Sequence, residues 1–101
     1  MTTGPREFLV EMELDLPADI GSAEFEALRA AEARRATELA SEGFLVRLWR
    51  PPAGGWRNIG LWRAADEAEL QHALSSLPLW PWITATVTAL NPHGNDPLAR
   101  P

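Results

Sequence analysis

The chain has 101 residues, of which 46% are hydrophobic and 23% are charged, and its net charge is −5. This length accommodates one domain with a single core, and an acidic chain without a basic cluster is a poor candidate for nucleic-acid binding. The sequence contains no Cys, Lys or Tyr. Their absence excludes disulfides, thiolate catalysis, Cys-ligated metals, Schiff-base chemistry and a Tyr general acid.

No apolar run approaches the length of a membrane span, and the N-terminus lacks a basic and apolar signal pattern, so we expect a cytoplasmic protein without membrane contact. The five Trp residues are many for this length. Because large rings concentrate at interfaces and in ligand pockets, they indicate an oligomer or a small-molecule site.

Hydrophobic periodicity and turn residues predict six elements. In chain order they are a strand over 8–16, a helix over 22–42 that Ser22 caps, strands over 44–50 and 56–63, a helix over 67–76 and a strand over 83–90. The β-α-β-β-α-β order predicts an α+β ferredoxin-like plait, with a four-stranded antiparallel sheet and both helices on one face. The domain spans residues 7–91, between a flexible lead-in (1–6) and an irregular tail (92–101).

Strand alternation also predicts which side chains face away from the helices. In this interpretation Leu45 shares the outer face, and the apolar residues Ile59 and Leu61 point inward. A face with three Trp should be covered by another subunit or line a pocket. The predicted polar and aromatic members of this face are Glu11, Glu13, Arg47, Trp49, Trp56, Asn58, Trp62, Thr84 and Thr86.

Glu32 occupies an unexpected position in the first helix. It lies four residues from Leu28 and Ala36 and seven from Phe25 and Leu39, inside the apolar stripe. A carboxylate among apolar neighbours loses hydration, which raises its pKa toward a value useful for proton transfer. The alternative is a flanking Glu whose carboxylate reaches water.

The other candidate residues lie on the strands. Arg47 could bind a substrate carboxylate or pair with an acid across a subunit contact. Asn58, an unusual residue for a strand, could donate to a developing oxyanion or simply mark the strand start. His72 and His93 have no carboxylate partner at a known ligand spacing, so we expect no metal site. Carboxylates, Arg and Asn suit proton transfer on a small anion.

Several short motifs at matching spacing resemble the muconolactone Δ-isomerase family from about Phe8 to His93. They are Leu16-Pro17, Leu28-Arg29-Ala30-Ala31-Glu32, Glu42-Gly43, Leu48-Trp49-Arg50, Asn58, and Leu77-Pro78-Leu79-Trp80-Pro81-Trp82. Trp80 and Trp82 stand where the family carries other aromatic residues.

The resemblance implies a cofactor-free 1,3-proton shift that converts muconolactone to the 3-oxoadipate enol-lactone in the bacterial β-ketoadipate pathway. It also implies a homo-oligomer, in which dimers form a ring-like decamer with active sites at subunit contacts. Glu32 would carry the proton. Arg47 or Arg50 would orient the substrate carboxylate, Asn58 would bind the lactone oxygen, and Trp49 and Trp56 would wall the pocket.

Two alternatives stay open at this stage. The acidic Glu11 replaces a basic residue of the family, and Val46-Arg47 replaces Arg followed by His or Tyr. These departures favour a divergent paralogue that acts on another small acidic or polyketide-like ring compound, lactone dehalogenation included. The second alternative is a non-catalytic oligomeric binding module. These hypotheses differ in whether Glu32 opens onto a cavity or only onto bulk water.

Overall fold

The computed structural model describes residues 5–99, with the side chain of residue 99 left aside. The main elements are β1 (Arg6–Leu14), α1 (Ser22–Ser41), β2 (Leu45–Trp49), β3 (Arg57–Ala64), α2 (Glu67–Ser75) and β4 (Ile83–Leu90). Single 3₁₀ turns lie at Trp80–Trp82 and Pro97–Ala99. Across residues 5–99, neither helix combines the length and the apolar character that a membrane crossing requires.

The four strands form one antiparallel sheet in the order β2-β3-β1-β4. One face of this sheet packs against both helices, because the core joins Val10 of β1 to Leu39 of α1 and to Leu70 and Leu74 of α2. These four side chains are almost completely buried. The predicted ferredoxin-like plait is therefore confirmed.

The neighbouring strands β1 and β4 follow the predicted alternation. In β1, Phe8, Val10 and Met12 are buried. In β4, Ala85 pairs with Met12 and Val87 pairs with Val10. Each directly opposite pair points to the same face, so the threonines of β4 face away from the helices, as predicted.

The predicted orientation of the third strand is wrong. Trp62 pairs with Phe8, and Asn58 pairs with Met12, so both side chains point toward the helices. Trp62 is only 2% exposed and belongs to the core. The remaining apolar residues, Ile59 and Leu61, lie on the outer face instead. Alternation could not decide which face of β3 points toward the helices, because β3 carries apolar side chains on both faces. Only its pairing with the neighbouring strands determines which side chains point inward.

A bulge in β2 produces a second difference. The register shifts between Leu45, which pairs with Trp62, and Arg47, which pairs with Leu61. Leu45 therefore faces the core together with Phe44, whereas Arg47 and Trp49 stay on the outer face. An extra residue on one strand of a pair reverses the face to which the residues beyond it point. A prediction that assumes strict alternation along the strand cannot detect such a bulge.

The helix termini partly follow the prediction. The predicted cap of α2 is confirmed, since the Glu69 backbone N–H donates to Asp66 Oδ1 at 2.8 Å and Glu69 Oε1 accepts from the Ala65 N–H at 2.7 Å. Ser22, in contrast, is the first residue of α1 and not its cap. The N-cap is Gly21, and its lack of a side chain leaves that end without a side-chain cap bond.

The chain termini differ slightly from the predicted boundaries. β1 begins at Arg6, within the predicted lead-in, and residues 1–4 of that lead-in lie outside the described residues. The predicted tail contains the 3₁₀ turn Pro97–Ala99, and its last two residues also lie outside the described part of the chain.

Candidate active site

An open cavity of about 910 Å³ lies between α1 and the inner face of the sheet. Its floor comes from the strand residues Met12, Asn58 and Ile83 and from Leu79, which precedes a 3₁₀ turn. One side of the cavity is a face of α1, and the other is the β2–β3 connection. The apolar and aromatic part of its wall comprises Met12, Leu14, Ala33, Ala36, Leu48, Trp49, Trp56, Leu79 and Ile83.

The Glu32 side chain lines this cavity and is half-buried. Its Oε1 atom accepts a hydrogen bond of 2.9 Å from the backbone N–H of Leu79. That N–H is available because Leu79 caps the 3₁₀ turn, and the first N–H groups of a helix have no partner within it. The contact links α1 to the segment before β4 and fixes the carboxylate in one orientation.

Burial raises the pKa of the Glu32 carboxyl above its ordinary value, and the Leu79 hydrogen bond opposes the rise only in part. The position of Glu32 within the apolar stripe of α1 predicted this rise in pKa. A carboxylate with a raised pKa is a stronger base when it is ionised. Because Glu32 opens onto a cavity, the geometry favours chemistry over the non-catalytic alternative.

Three arginines line the cavity against this single carboxylate. Arg57 forms an ion pair at 2.6 Å with Glu13, its partner across the outer face of the sheet. Arg50 forms no ion pair within residues 5–99. Arg29 lies near two aromatic rings. This excess of positive charge favours an anionic ligand.

Asn58 presents its amide to the cavity from the middle of the sheet. Its Oδ1 atom is buried and, among the described residues, accepts no hydrogen bond. A buried polar atom without a partner is unfavourable by about 1–3 kcal/mol, so its presence in the cavity wall calls for an explanation, of which a role in ligand binding is one. The same face carries Trp62, whose Nε1 atom is also buried and without a partner in the described part of the chain.

Gly60 separates these two side chains and is itself buried. A Cβ at this position would lie 2.6 Å from Trp62 Nε1 and 3.4 Å from Leu48 Cδ1. The missing side chain thus leaves the space that the Trp62 indole occupies beneath the cavity floor.

The cavity brings together five of the six site residues predicted from the sequence. They are Glu32, Trp49, Arg50, Trp56 and Asn58. Trp49 borders the cavity from the edge strand β2, although its register places it with Ile59 on the outer face. Arg47 does not line the cavity. The Arg47 guanidinium lies 5.0 Å from the centroid of the Trp49 ring. Arg47 pairs with Leu61 on the predicted outer face of the sheet, whereas the cavity lies on the inner face.

Sequence reasoning missed Arg29 and Phe25 as members of the site. Trp56 is not on the outer face, since its ring meets that of Phe25 edge-on at 5.5 Å and 84°. The spacing contained a signal for Arg29, because residues three apart on a helix are neighbours and Arg29 precedes Glu32 by three. No sequence pattern indicated that the Leu79 backbone would bind Glu32.

A metal centre finds no support in this geometry. Within residues 5–99, no three His, Cys, Asp or Glu side chains come together at a spacing that could hold a metal ion. His72 is exposed near the end of α2, and His93 Nδ1 accepts a hydrogen bond from the Asn95 N–H at 2.9 Å.

Comparison with known proteins places this geometry in a family. The family model for muconolactone delta-isomerase matches residues 6–96. Muconolactone Delta-isomerase 2 of Acinetobacter lwoffii is 35% identical over 89 residues, which cover 88% of this chain and 92% of that protein. Muconolactone Delta-isomerase of Cupriavidus pinatubonensis is 34% identical over 86 residues, covering 85% and 92%.

Solved structures agree with the sequence comparison. A crystal structure of muconolactone isomerase has a TM-score of 0.82 and 32% identity, and the match covers 90% of this chain and 94% of that chain. SnoaB, a cofactor-independent oxygenase from Streptomyces nogalater, matches at a TM-score of 0.50 and 18% identity over 94% and 99% of the two chains. That second likeness concerns the fold alone. With the family model across nearly the whole domain, relatives above 30% identity and a shared fold, the chain belongs to the muconolactone Δ-isomerase family and is an isomerase of that family.

Proposed function

We propose that this isomerase catalyses a cofactor-free 1,3-proton shift on a small carboxylated lactone, of the type that converts muconolactone to the 3-oxoadipate enol-lactone. The observation that carries the proposal is the Glu32 carboxylate, which is half-buried in the cavity and held by the Leu79 N–H. The names of the relatives support the substrate class.

Glu32 is the proton carrier in this mechanism. Its ionised carboxylate removes a proton from the ring carbon that bears the acidic side chain of the lactone. The electron pair of that C–H bond moves through the ring double bond to the carbonyl oxygen, which gives a dienolate. Glu32 then returns the proton to the carbon next to the carbonyl, so the double bond moves by one position and no atom is gained or lost.

The dienolate oxygen requires a hydrogen-bond donor in the transition state. Asn58 lines the cavity, and an amide whose oxygen is turned into the protein directs its NH₂ group toward the open space. A donor that is fixed before the reaction stabilises developing charge without reorganisation. Apolar walls such as Met12 and Ile83 keep the surroundings partly dry, which strengthens this interaction.

The test is turnover of muconolactone by the purified protein, followed by proton NMR in D₂O. Wild-type protein should move the double bond and leave the new proton or deuteron on the carbon beside the carbonyl. Glu32→Gln keeps the side-chain shape and an acceptor for the Leu79 N–H but removes the base, so kcat should fall by about 10²–10⁴-fold. Glu24→Gln, an exposed acid on α1 outside the cavity, is the matched control. Absence of turnover by wild-type protein, or an unimpaired Glu32→Gln variant, rejects the proposal.

A related function on another ring acid, dehalogenation of a chlorinated lactone included, has one observation in its favour. Trp56 gives the cavity mouth a broad aromatic wall that suits a larger ring. The departures at Glu11 and Arg47 concern the outer face of the sheet and not the cavity. Thermal shifts separate the two functions, because stabilisation by larger ring acids but not by lactones would favour the second.

We also propose that the protein forms a homo-oligomer, with dimers as the unit of a larger ring. The outer face carries Trp49, which is 43% exposed, beside the half-buried Ile59 and Leu61. A second copy of the chain would cover this apolar area and provide partners for Arg47. Sedimentation equilibrium at micromolar protein tests the proposal, and a monomer under these conditions would contradict it.

A further inference from the structure

Arg29 is seated in a corner formed by two aromatic rings at the cavity wall. Its guanidinium carbon lies 5.7 Å from the centroid of the Phe25 ring and 5.9 Å from that of the Trp56 ring. The two rings are nearly perpendicular, at 84°. Contact with both rings attracts the cation and restricts the directions in which its planar group can point.

Most of the donors of Arg29 remain available. Its one ion pair joins Nη1 to Glu26 Oε1 at 3.3 Å, with side chains that are 51% and 68% exposed. Such an exposed pair between neighbours on a helix is weak. Within residues 5–99, no hydrogen bond uses Arg29 Nε or Nη2. This edge of the guanidinium is the one that binds a carboxylate with two parallel hydrogen bonds.

The other cations of the cavity are less suited to this task. Arg57 is already bound to Glu13 at 2.6 Å. Arg50 lies just beyond β2, before a Pro-Pro turn, and no aromatic ring among the described residues holds it. Arg47 points away from the cavity. Arg29 is thus the fixed cation on the wall.

Arg29 and the proposed base, Glu32, lie on the same wall of the cavity. Arg29 and Glu32 are three residues apart on α1 and both line the cavity, so their Cβ atoms are about 5–6 Å apart. A small acid bound at Arg29 would therefore lie along the α1 wall that also carries Glu32. Its charged end would meet the guanidinium, and the rest of the molecule would extend into the same cavity as the base.

We infer that Arg29, fixed between Phe25 and Trp56, is the residue that binds the substrate carboxylate and thereby selects acids over neutral rings. The inference rests on the proposed function for the identity of the ligand, but the site can be tested without turnover. The probes are the saturated analogue of muconolactone, which has no ring double bond to move, and its methyl ester, which has no charge.

The experiment measures binding of the two probes to the full chain by Trp fluorescence. Wild-type protein should bind the acid more tightly than the ester. Arg29→Gln should weaken binding of the acid by about 10- to 100-fold and leave binding of the ester nearly unchanged. Arg29→Lys, which keeps the charge but loses the planar pair of donors, should restore part of the loss. Arg34→Gln, an exposed Arg of α1 outside the cavity, should match wild type.

The aromatic corner provides a second readout. Phe25→Leu keeps a side chain of similar volume but removes one ring, so the acid should bind about 2- to 5-fold more weakly with little change for the ester. Equal losses for acid and ester in Arg29→Gln would overturn the inference. Selection of the acid that survives in Arg29→Gln but is lost in Arg50→Gln would overturn it as well. If wild-type protein selects the acid through Arg29 but does not turn over muconolactone, this inference holds and the proposed function fails.

Discussion

Gly60 offers a sharp test of how the cavity floor is packed. Replacement by Ala adds a Cβ that would lie 2.6 Å from Trp62 Nε1, 3.1 Å from Trp62 Cδ1 and 3.4 Å from Leu48 Cδ1. The backbone cannot move away freely, because β3 is paired on both sides, with Val10 on one strand and Leu48 on the other. The indole cannot move freely either, since Trp62 is 2% exposed.

The expected magnitude follows from these contacts. Overpacking of a rigid core is unfavourable by about 1–3 kcal/mol, while the Gly-to-Ala change in the unfolded chain offsets about 0.4–1 kcal/mol. At the middle of both ranges, the free energy of unfolding should therefore decrease by about 1.3 kcal/mol. For a domain of this size, each kcal/mol lowers Tm by about 4–8 °C.

Urea denaturation at a fixed protein concentration measures this change. Gly94→Ala is the control, because its added methyl group meets no atom within 4 Å. Trp62→Phe removes the atom nearest to the added Cβ, the indole nitrogen. Gly60→Ala should therefore lower the free energy of unfolding less in the Trp62→Phe variant than in the wild type, with a coupling energy of about 0.5 kcal/mol or more. Equal stability of Gly60→Ala and wild type, or additive effects of the two changes, would refute the packing argument.

Two further predictions concern titration and capping. Burial raises the pKa of Glu32 in the folded protein above its ordinary value of 4.5. Between the pKa of the unfolded chain and that of the folded protein, the folded protein therefore binds more protons. The free energy of unfolding consequently falls as pH rises through this window. Glu32→Gln should therefore stabilise the fold more at about pH 7.5 than at about pH 4 in thermal denaturation, and the same gain at both pH values would contradict this. Asp66→Ala removes the acceptor of the Glu69 N–H and should lower the free energy of unfolding by about 0.5–2 kcal/mol, whereas Asp66→Asn should retain most of it.

Local sequence patterns predicted the elements well where one physical signal dominated. β4 has the predicted bounds, since the alternation from Ile83 to Leu90 has a single apolar face. The start of α2 follows from Asp66 and Glu69, because capping depends on residues three apart. The raised pKa of Glu32 also follows from local spacing, since the stripe on α1 determines which residues are shielded from water.

The candidate site was only partly predictable. Glu32 and Asn58 could be recognised because each is the wrong residue type for its position. Arg47 lies on the outer face of β2, as the alternation predicted, but the cavity forms on the opposite face of the sheet, and only the tertiary structure shows this. The partner of Glu32, the Leu79 N–H, is 47 residues away along the chain. Because almost every residue has a backbone N–H, the residue type at position 79 does not indicate that its N–H binds Glu32.

The sequence by itself determined the order of elements, the single core and the presence of one carboxylate among apolar neighbours, because these depend on residue type and short-range spacing. Tertiary structure alone decided that Trp62 is buried beneath the cavity, that Trp56 and Phe25 hold Arg29, and that Leu45 faces the core. The physical reason is that strand register and long-range packing fix which face of each strand is shielded from water. In a strand such as β3, which has apolar side chains on both faces, pairing with the neighbouring strands determines which face points toward the core.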